Sequence, residues 1–301
     1  TTLSTAIYQQ FFIYLNQQID ILCNTQVVTI TPNNRHFLLT LSDQRMIQGR
    51  NVVIAVGRQG MDWLDTITSD LGITSGQVRL DLGFRIEMAG EQLAPLLQKS
   101  REVKLNYITP NFSATTYCMN PKGRVISKYQ QGLVMPEGQN CLEQGSSHNL
   151  NFSLFIPKWF SSRLQADNYL AKVIGHINQQ RGRILAQRLM DINGYFRPQG
   201  VTIIPSLPSV EFTELLRWVP KEYLYYTNQF LVKLQQLLGL PIDGNTILYA
   251  MDSKTYAPIM NTDRYFATTI DNLYIIGDCS GVTSSLSQAA ASGLYVADIL
   301  S

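Results

Sequence analysis

The sequence has no apolar run near the roughly 20 residues that a membrane-spanning helix needs. It has only three histidines, four cysteines and 15% charged residues. Cys23, Cys118, Cys141 and Cys279 are scattered, with no C-x-x-C pair, so neither a disulfide scaffold nor a zinc cluster is expected. That usage fits a reducing, cytoplasmic compartment. No HExxH, P-loop or G-x-S-x-G occurs, which removes the common metalloprotease, nucleotide-hydrolase and serine-hydrolase signatures. The net charge is +2 without a basic stripe, leaving no electrostatic case for nucleic acid or a membrane surface. Arg181, Arg183 and Arg188 are expected on the solvated face of a helix. No signal-peptide pattern is visible, but the chain opens on Thr1 rather than a methionine, so that absence is uninformative.

What is present is enough apolar sequence for a real core, 45% of 301 residues. The length suits two domains or one domain carrying an insertion. Residues 3–17 repeat apolar side chains at Leu3, Ile7, Phe11 and Leu15, a helical period. Short β-type runs follow at Ile19–Cys23, Gln26–Thr31 and His36–Leu41, the last two separated by the turn Pro32-Asn33-Asn34. The run 51–57 reads as a strand buried on both faces, as in a parallel sheet.

The centre of the chain has a different texture. Strands are expected at Leu80–Met88, Ala114–Met119, Arg124–Tyr129 and His148–Ile156, the second and third joined as a hairpin by Asn120-Pro121-Lys122-Gly123. Helical patterns are expected at 163–190 and 208–239, with the tyrosines of 222–226 as packing residues. The end returns to an α/β pattern, with a strand at 273–276, a tight loop Gly277-Asp278-Cys279-Ser280-Gly281, and a helix from about Thr283 to Leu300. On that helix Leu286, Ala289, Ala290, Gly293, Leu294 and Ala297 are expected to share the buried face.

The strand–Gly-Asp–Gly–helix stretch carries the most chemistry. A helix N-terminus offers free backbone N–H groups and partial positive charge. A carboxylate at a strand's carboxyl end, where open α/β sheets bind ligands, repels phosphate but accepts hydrogen bonds from sugar-like hydroxyls. A ligand with a polyol and a carbonyl able to gain negative charge satisfies both, and a flavin with its ribityl chain is one. The plain alternative is an ordinary strand–turn–helix with a capping aspartate.

The segment NLYIIGDCSGVTSSLSQAAASGLYVADIL resembles the C-terminal motif of two-dinucleotide-binding-domain flavoproteins, and VVIAVGR at 52–58 resembles their second signature. LDLGFRIE at 80–87 and TTYCMNPKGRVI at 115–126 narrow the resemblance to FAD-dependent dehydrogenases of unassigned substrate. It implies FAD as cofactor, with Asp278 on the ribityl chain and Gly57, Gly277, Gly281, Thr283, Ser284 and Ser285 around the flavin. It also places Cys118 near the flavin and makes Arg58 a candidate contact for cofactor or substrate. Two departures stand out. No G-x-G-x-x-G occurs, so the pyrophosphate-binding segment is expected upstream of Thr1 or on another chain. Asn120 and Lys122 replace a second cysteine and a glycine of the family hairpin, so no role can rest on a cysteine pair.

The expected fold is therefore α/β: a truncated Rossmann-like FAD-binding sheet domain from residues 1–79 and 251–301, with an inserted α+β domain, 80–250, that covers the flavin and meets a small-molecule substrate. Cys279, Arg85, Glu87, His36, His148 and His176 are read as structural before functional. The competing reading is a flavin-free binding or regulatory module that keeps only the scaffold.

Overall fold

The computed structural model describes residues 2–98, 100, 103–141, 146–179, 181–200 and 203–301. They divide into two compact units, Thr1–Thr74 with Met260–Ser301, and the contiguous Ser75–Ile259. The boundaries expected at 79/80 and 250/251 fall inside strands of the second unit.

The first unit opens with α1 (Thr2–Asn16). The helical period is right, but the expected face is not buried: Ile7 is 57% and Phe11 59% exposed. Residues 19–23 form no strand. Ile19 and Leu22 stay exposed, and the chain turns at Asn24 with φ 53°. Then β1 (Val27–Asn33), β2 (His36–Leu41) and β3 (Met46–Gly49) make an antiparallel meander. Its first turn is Asn34-Arg35, not Pro32–Asn34, because Pro32 still pairs with Phe37. That is tolerated since β1 is an edge strand, where a missing N–H breaks no ladder.

β4 (Val52–Ile54) follows, then α2 (Met61–Asp70), a helix the sequence pattern did not announce. It buries Met61, Leu64 and Ile67 at helical spacing, and the Trp63 indole N–H donates to the Val27 carbonyl at 2.5 Å.

The second unit is built on a seven-stranded sheet. Its elements are β5 (Val78–Ala89), α3 (Ala94–Leu97), β6 (Asn106–Ile108), β7 (Ser113–Pro121), β8 (Arg124–Gln130), β9 (Leu133–Gln139), β10 (Asn149–Phe160), α4 (Arg163–Asn178), β11 (Ile184–Arg188), α5 (Met190–Asn193), β12 (Val210–Phe212), α6 (Lys221–Leu238) and β13 (Ile247–Thr255). The strand order is β12-β11-β13-β5-β10-β7-β6, with only β11 and β12 parallel. Leu80, Leu82, Phe84, Ile86 and Met88 of central β5 join the core that includes Leu170, Ile174 and Ile177 of α4 and Leu231 and Leu234 of α6. Asp81, Arg85 and Glu87 alternate with them on the opposite face, yet are also buried.

Several expectations are corrected here. β7 and β8 are consecutive but do not pair: β7 joins β10 and β6, whereas β8 pairs with β9 across Gln131-Gly132, both at positive φ (51° and 75°). Two residues at positive φ suit the twist of a tight hairpin. β10 does not alternate; it is buried on both faces over most of its length. The helical pattern at 163–190 ends at Asn178, and 184–188 is a strand. Residues 210–212 are likewise a strand, so the second helix begins only at Lys221. Arg183 and Arg188 therefore sit at the ends of β11, not on a helix face. Arg183 bonds Glu211 at 2.9 Å, and Arg188 donates to the carbonyls of Asn245 and Ile203. Tyr223 packs inside α6's buried face, while Tyr225 is exposed and Tyr226 stacks on Phe112.

The chain then returns to the first unit with β14 (Leu273–Ile275) and α7 (Leu286–Leu300). β14 pairs in parallel with β4, forming a two-stranded sheet. The seven-residue strand expected at 51–57 is thus three residues long. It is buried on one face only, since Val53 between Val52 and Ile54 is 41% exposed. α7 begins at Leu286, not Thr283, and its buried side is Ser292 and Val296, with Ala289 and Gly293 half-buried beside them. Leu286 and Leu294 point outward, 82% and 72% exposed. Among the described residues, no helix is long and apolar enough to cross a membrane.

Candidate functional site

Parallel strands present their carboxyl ends at the same edge. β4 and β14 are in register, Val52 opposite Leu273 and Ile54 opposite Ile275, and the Ile276 N–H extends the ladder to the Ile54 carbonyl at 2.9 Å. The chain leaves β4 through Gly57 and β14 through Gly277, with φ of 62° and 69°. Both corners need the left-handed region, which glycine enters without a Cβ clash. A Cβ on Gly57 would meet nothing within 4 Å, so that corner opens to free space.

Asp278 follows the second corner and reaches Arg58, which follows the first. Its Oδ1 accepts from the Thr283 hydroxyl at 2.9 Å, and its Oδ2 lies 3.5 Å from the Arg58 Nε. The carboxylate is partly exposed, which leaves acceptor capacity on a group that takes about four hydrogen bonds. Gly277 N–H donates to the Ser292 hydroxyl of α7 at 3.0 Å, fixing the helix against the loop. Cys279 is buried, donates toward the Ile276 carbonyl at 3.1 Å, and has its thiol pushed up by burial. It is a packing residue and not a reactive thiol.

The opening of α7 is only partly free. Ser285 caps the helix, accepting from the Gln288 N–H at 3.3 Å, and the Gln288 side chain returns to the Ser284 N–H at 3.1 Å. Ser280 Oγ takes the Val282 N–H, and Gly281 turns at φ 75°. The N–H groups of Thr283, Leu286 and Ser287 have no acceptor among the described residues. Gly57, Arg58, Gly277, Asp278 and Thr283 thus lie beside one another, while Ser284 and Ser285 use their polar groups within the helix cap. A carboxylate, the open Gly57 corner and N–H groups without an acceptor among the described residues form a set able to hold hydroxyls beside a carbonyl or anion.

Cys118 belongs to the other unit. It lies in β7 at φ 48°, where the register against β10 slips, and its thiol is exposed. Its carbonyl accepts from Arg85 at 2.8 Å and from the Asn120 amide at 3.1 Å. It lines a cavity of about 320 Å³ with Met119, Asn120, Ile126, Glu137 and Gly138. Arg85 and Glu87 do not pair with each other. Arg85 donates to Asn151 and to the Ser153 hydroxyl at 3.0 Å, and burial holds its pKa below the usual guanidinium range. Glu87 accepts from Asn149 at 2.8 Å and from the Tyr249 hydroxyl. His148 is exposed beside Ser147 and Ser206, His36 lies at the surface hairpin, and His176 rests on Trp218 at 5.2 Å.

One cluster had no clear signal in the sequence: Lys104, Tyr117, Lys254 and Tyr256, with Arg79 and Asp81. Tyr117 and Tyr256 touch through their hydroxyls across 139 residues of sequence. Only the alternate spacing of Arg79-x-Asp81 and Lys254-x-Tyr256 hinted at it.

No family model matches the chain, and no curated protein matches it. Among solved structures it is similar to a salicylate hydroxylase substrate complex, at 12% identity and TM-score 0.34, covering 96% of this chain and 54% of that one. It is also similar to a mutant of the halogenase PltM in complex with FAD, at 11% identity and TM-score 0.31, covering 92% and 40%. A third is FqzB, at 14% identity and TM-score 0.29, covering 93% and 47%. The chain spans about half the length of these structures. Likeness at these scores carries no functional argument.

Proposed function

We propose that the chain is the flavin-facing part of an FAD-dependent oxidoreductase that passes a hydride or electron pair between a small-molecule substrate and the flavin. The observation that carries this reading is that Gly57 and Gly277 turn the chain just beyond adjacent parallel strands, with the Asp278 carboxylate reaching Arg58 across the two loops. These residues fit the ribityl and pyrimidine end of the cofactor. Asp278 would accept from ribityl hydroxyls, steadied by Arg58 and Thr283. The N–H groups of Thr283, Leu286 and Ser287 would favour negative charge at a carbonyl edge, through the helix end's partial positive charge. Bound flavin would supply the redox chemistry, and the protein its orientation and electronics. In this reading the G-x-G-x-x-G segment comes from the same polypeptide or from another chain.

The test is FAD retention, read from the visible spectrum and flavin fluorescence of the full-length protein. Asp278→Ala should weaken retention by about tenfold or more, the scale of a hydrogen bond to a charged group. Unchanged retention removes Asp278 from the site. A colourless protein that takes up no FAD would leave the flavin-free binding module as the correct reading.

A further inference from the structure

The flavin reading makes no use of a group of six ionisable side chains in the second unit. Arg79 and Asp81 lie at the start of β5, Tyr117 on β7, Lys254 on β13, Tyr256 just beyond it, and Lys104 just before β6. Arg79 grips Asp81 with two hydrogen bonds, Nε to Oδ1 at 2.6 Å and a terminal N–H to Oδ2 at 3.0 Å. The Tyr256 hydroxyl donates to the same Oδ2 at 3.1 Å. The Tyr117 and Tyr256 hydroxyl oxygens are 3.3 Å apart.

A phenol carries one proton, and this decides the direction of the chain. Tyr256 gives its proton to Asp81, so in the contact with Tyr117 it can only accept, and neutral Tyr117 donates. When Tyr117 loses its proton, the Tyr256 hydroxyl is the donor within reach of the new phenolate. Asp81 keeps both bonds to Arg79 whichever way Tyr256 turns. Tyr117 can thus change protonation state without leaving a buried charge unpaired.

The charges point the same way. The Lys104 ammonium stands 4.1 Å from the centre of the Tyr117 ring. Lys254 lies 4.9 Å from that ring and 4.8 Å from the Tyr256 ring. Neither ammonium has an ion-pair partner among the described residues, while Asp81 is already matched by Arg79. Partial burial pushes the Tyr117 phenol up, but Tyr256 and Lys104 outweigh it and bring it below the ordinary tyrosine range. Tyr256 moves the opposite way, raised by burial and by its contact with Tyr117. Tyr117, with both ammoniums against its ring while Tyr256 is bonded to Asp81, is therefore the member better placed to carry a negative charge.

We propose that this cluster is a binding and proton-transfer site for a small hydroxycarboxylate. Lys104 and Lys254 hold its carboxylate, and the Tyr117 phenolate takes the proton of its hydroxyl. The substrate O–H bond breaks, an O–H bond forms on Tyr117, and the electron pair stays on the substrate oxygen. The step is reversible and needs no oxidant or reductant. Tyr256, Asp81 and Arg79 are positioning residues: Arg79 holds Asp81, and Asp81 holds the Tyr256 hydroxyl beside Tyr117, where it can turn to donate once Tyr117 is ionised. The inference does not depend on flavin binding.

The test is a pH titration of the protein labelled with ¹³C in its tyrosine rings, with Tyr117→Phe assigning the resonance, without and with malate. Tyr117 should titrate below the other tyrosines and malate should move that titration. Lys104→Met and Lys254→Met should each weaken malate binding about tenfold, the scale of losing one charge-assisted contact. Tyr256→Phe should raise the Tyr117 titration, which a purely structural role of Tyr256 would not require. Tyr117 titrating with the exposed tyrosines overturns the proposal. So does a resonance indifferent to malate, or equal binding of inorganic phosphate and malate.

Discussion

The Nε of Arg58 stands 3.5 Å from Oδ2 of Asp278, tying the loop after β4 to the loop after β14. Both side chains are partly exposed, so the pair is screened and contributes little to folding. Arg58→Ala should lower stability by less than about 1 kcal/mol, measured by denaturant unfolding. In the flavin reading its value lies in orienting the carboxylate. A much larger loss would show that the ion pair holds the two loops together and that Asp278 is a structural residue.

A sharper effect is expected at Gly138. A Cβ built there would lie 1.6 Å from an Arg85 terminal nitrogen and 2.5 Å from the Asn120 amide nitrogen. β9 can pass over the buried guanidinium only without a side chain at this position. Gly138→Ala should cost about 2–4 kcal/mol by displacing Arg85 from Asn151 and Ser153. A neutral result in urea unfolding would mean that the hairpin and Arg85 do not pack as described.

Asn178 closes α4 onto β9 as a strand would. Its Oδ1 accepts from the Val134 N–H at 2.9 Å, and its Nδ2 donates to the Val134 carbonyl at 2.9 Å and to the Arg183 carbonyl at 3.1 Å. Asn178→Leu should lose about 2–3 kcal/mol, because buried backbone groups would be left unsatisfied. Amide exchange at Val134 should accelerate well beyond that at the β5 core. Unchanged protection there would remove the clamp.

Asp252 supplies the pH dependence. Burial raises its pKa, and the Ser153 hydroxyl and Arg85 only partly offset that. With the folded value above the unfolded one, its favourable contribution is complete below the unfolded aspartate range. It is lost as pH rises through the folded value. Asp252→Asn should therefore flatten the fall in unfolding midpoint that sets in as pH rises above about 4, the unfolded aspartate range. An identical slope in the variant would assign the effect to another group.

Much of the candidate cofactor corner was legible because it is local in sequence. Gly57-Arg58 and Gly277-Asp278 each sit where an apolar strand stops, and that pattern needs no knowledge of partners. The N-terminal limit of α7 was misjudged because Thr283, Ser284 and Ser285 are all credible caps, and only Ser285 has the bonded geometry. The buried face of α7 was misjudged for a related reason. Apolar periodicity picked out Leu286 and Leu294, whereas packing uses the small and polar Ala289, Ser292 and Gly293 with Val296.

Hairpin identity and long-range clusters were not legible. Lys122-Gly123 and Gln131-Gly132 are both turn signals, and local chemistry does not say which pair of flanking strands will bond.

By itself the sequence determined which segments are apolar enough for a core, and that the chain turns on Gly57 and Gly277 shortly after an apolar strand. Those properties belong to backbone sterics and local hydrogen bonding, which act within a few residues. Tertiary structure alone decided that β7 leaves β8 for β10, that Arg85 passes beneath Gly138, and that Tyr117 meets Tyr256. These depend on strand register, and register is set by burying a whole face at once, which no short stretch of sequence encodes.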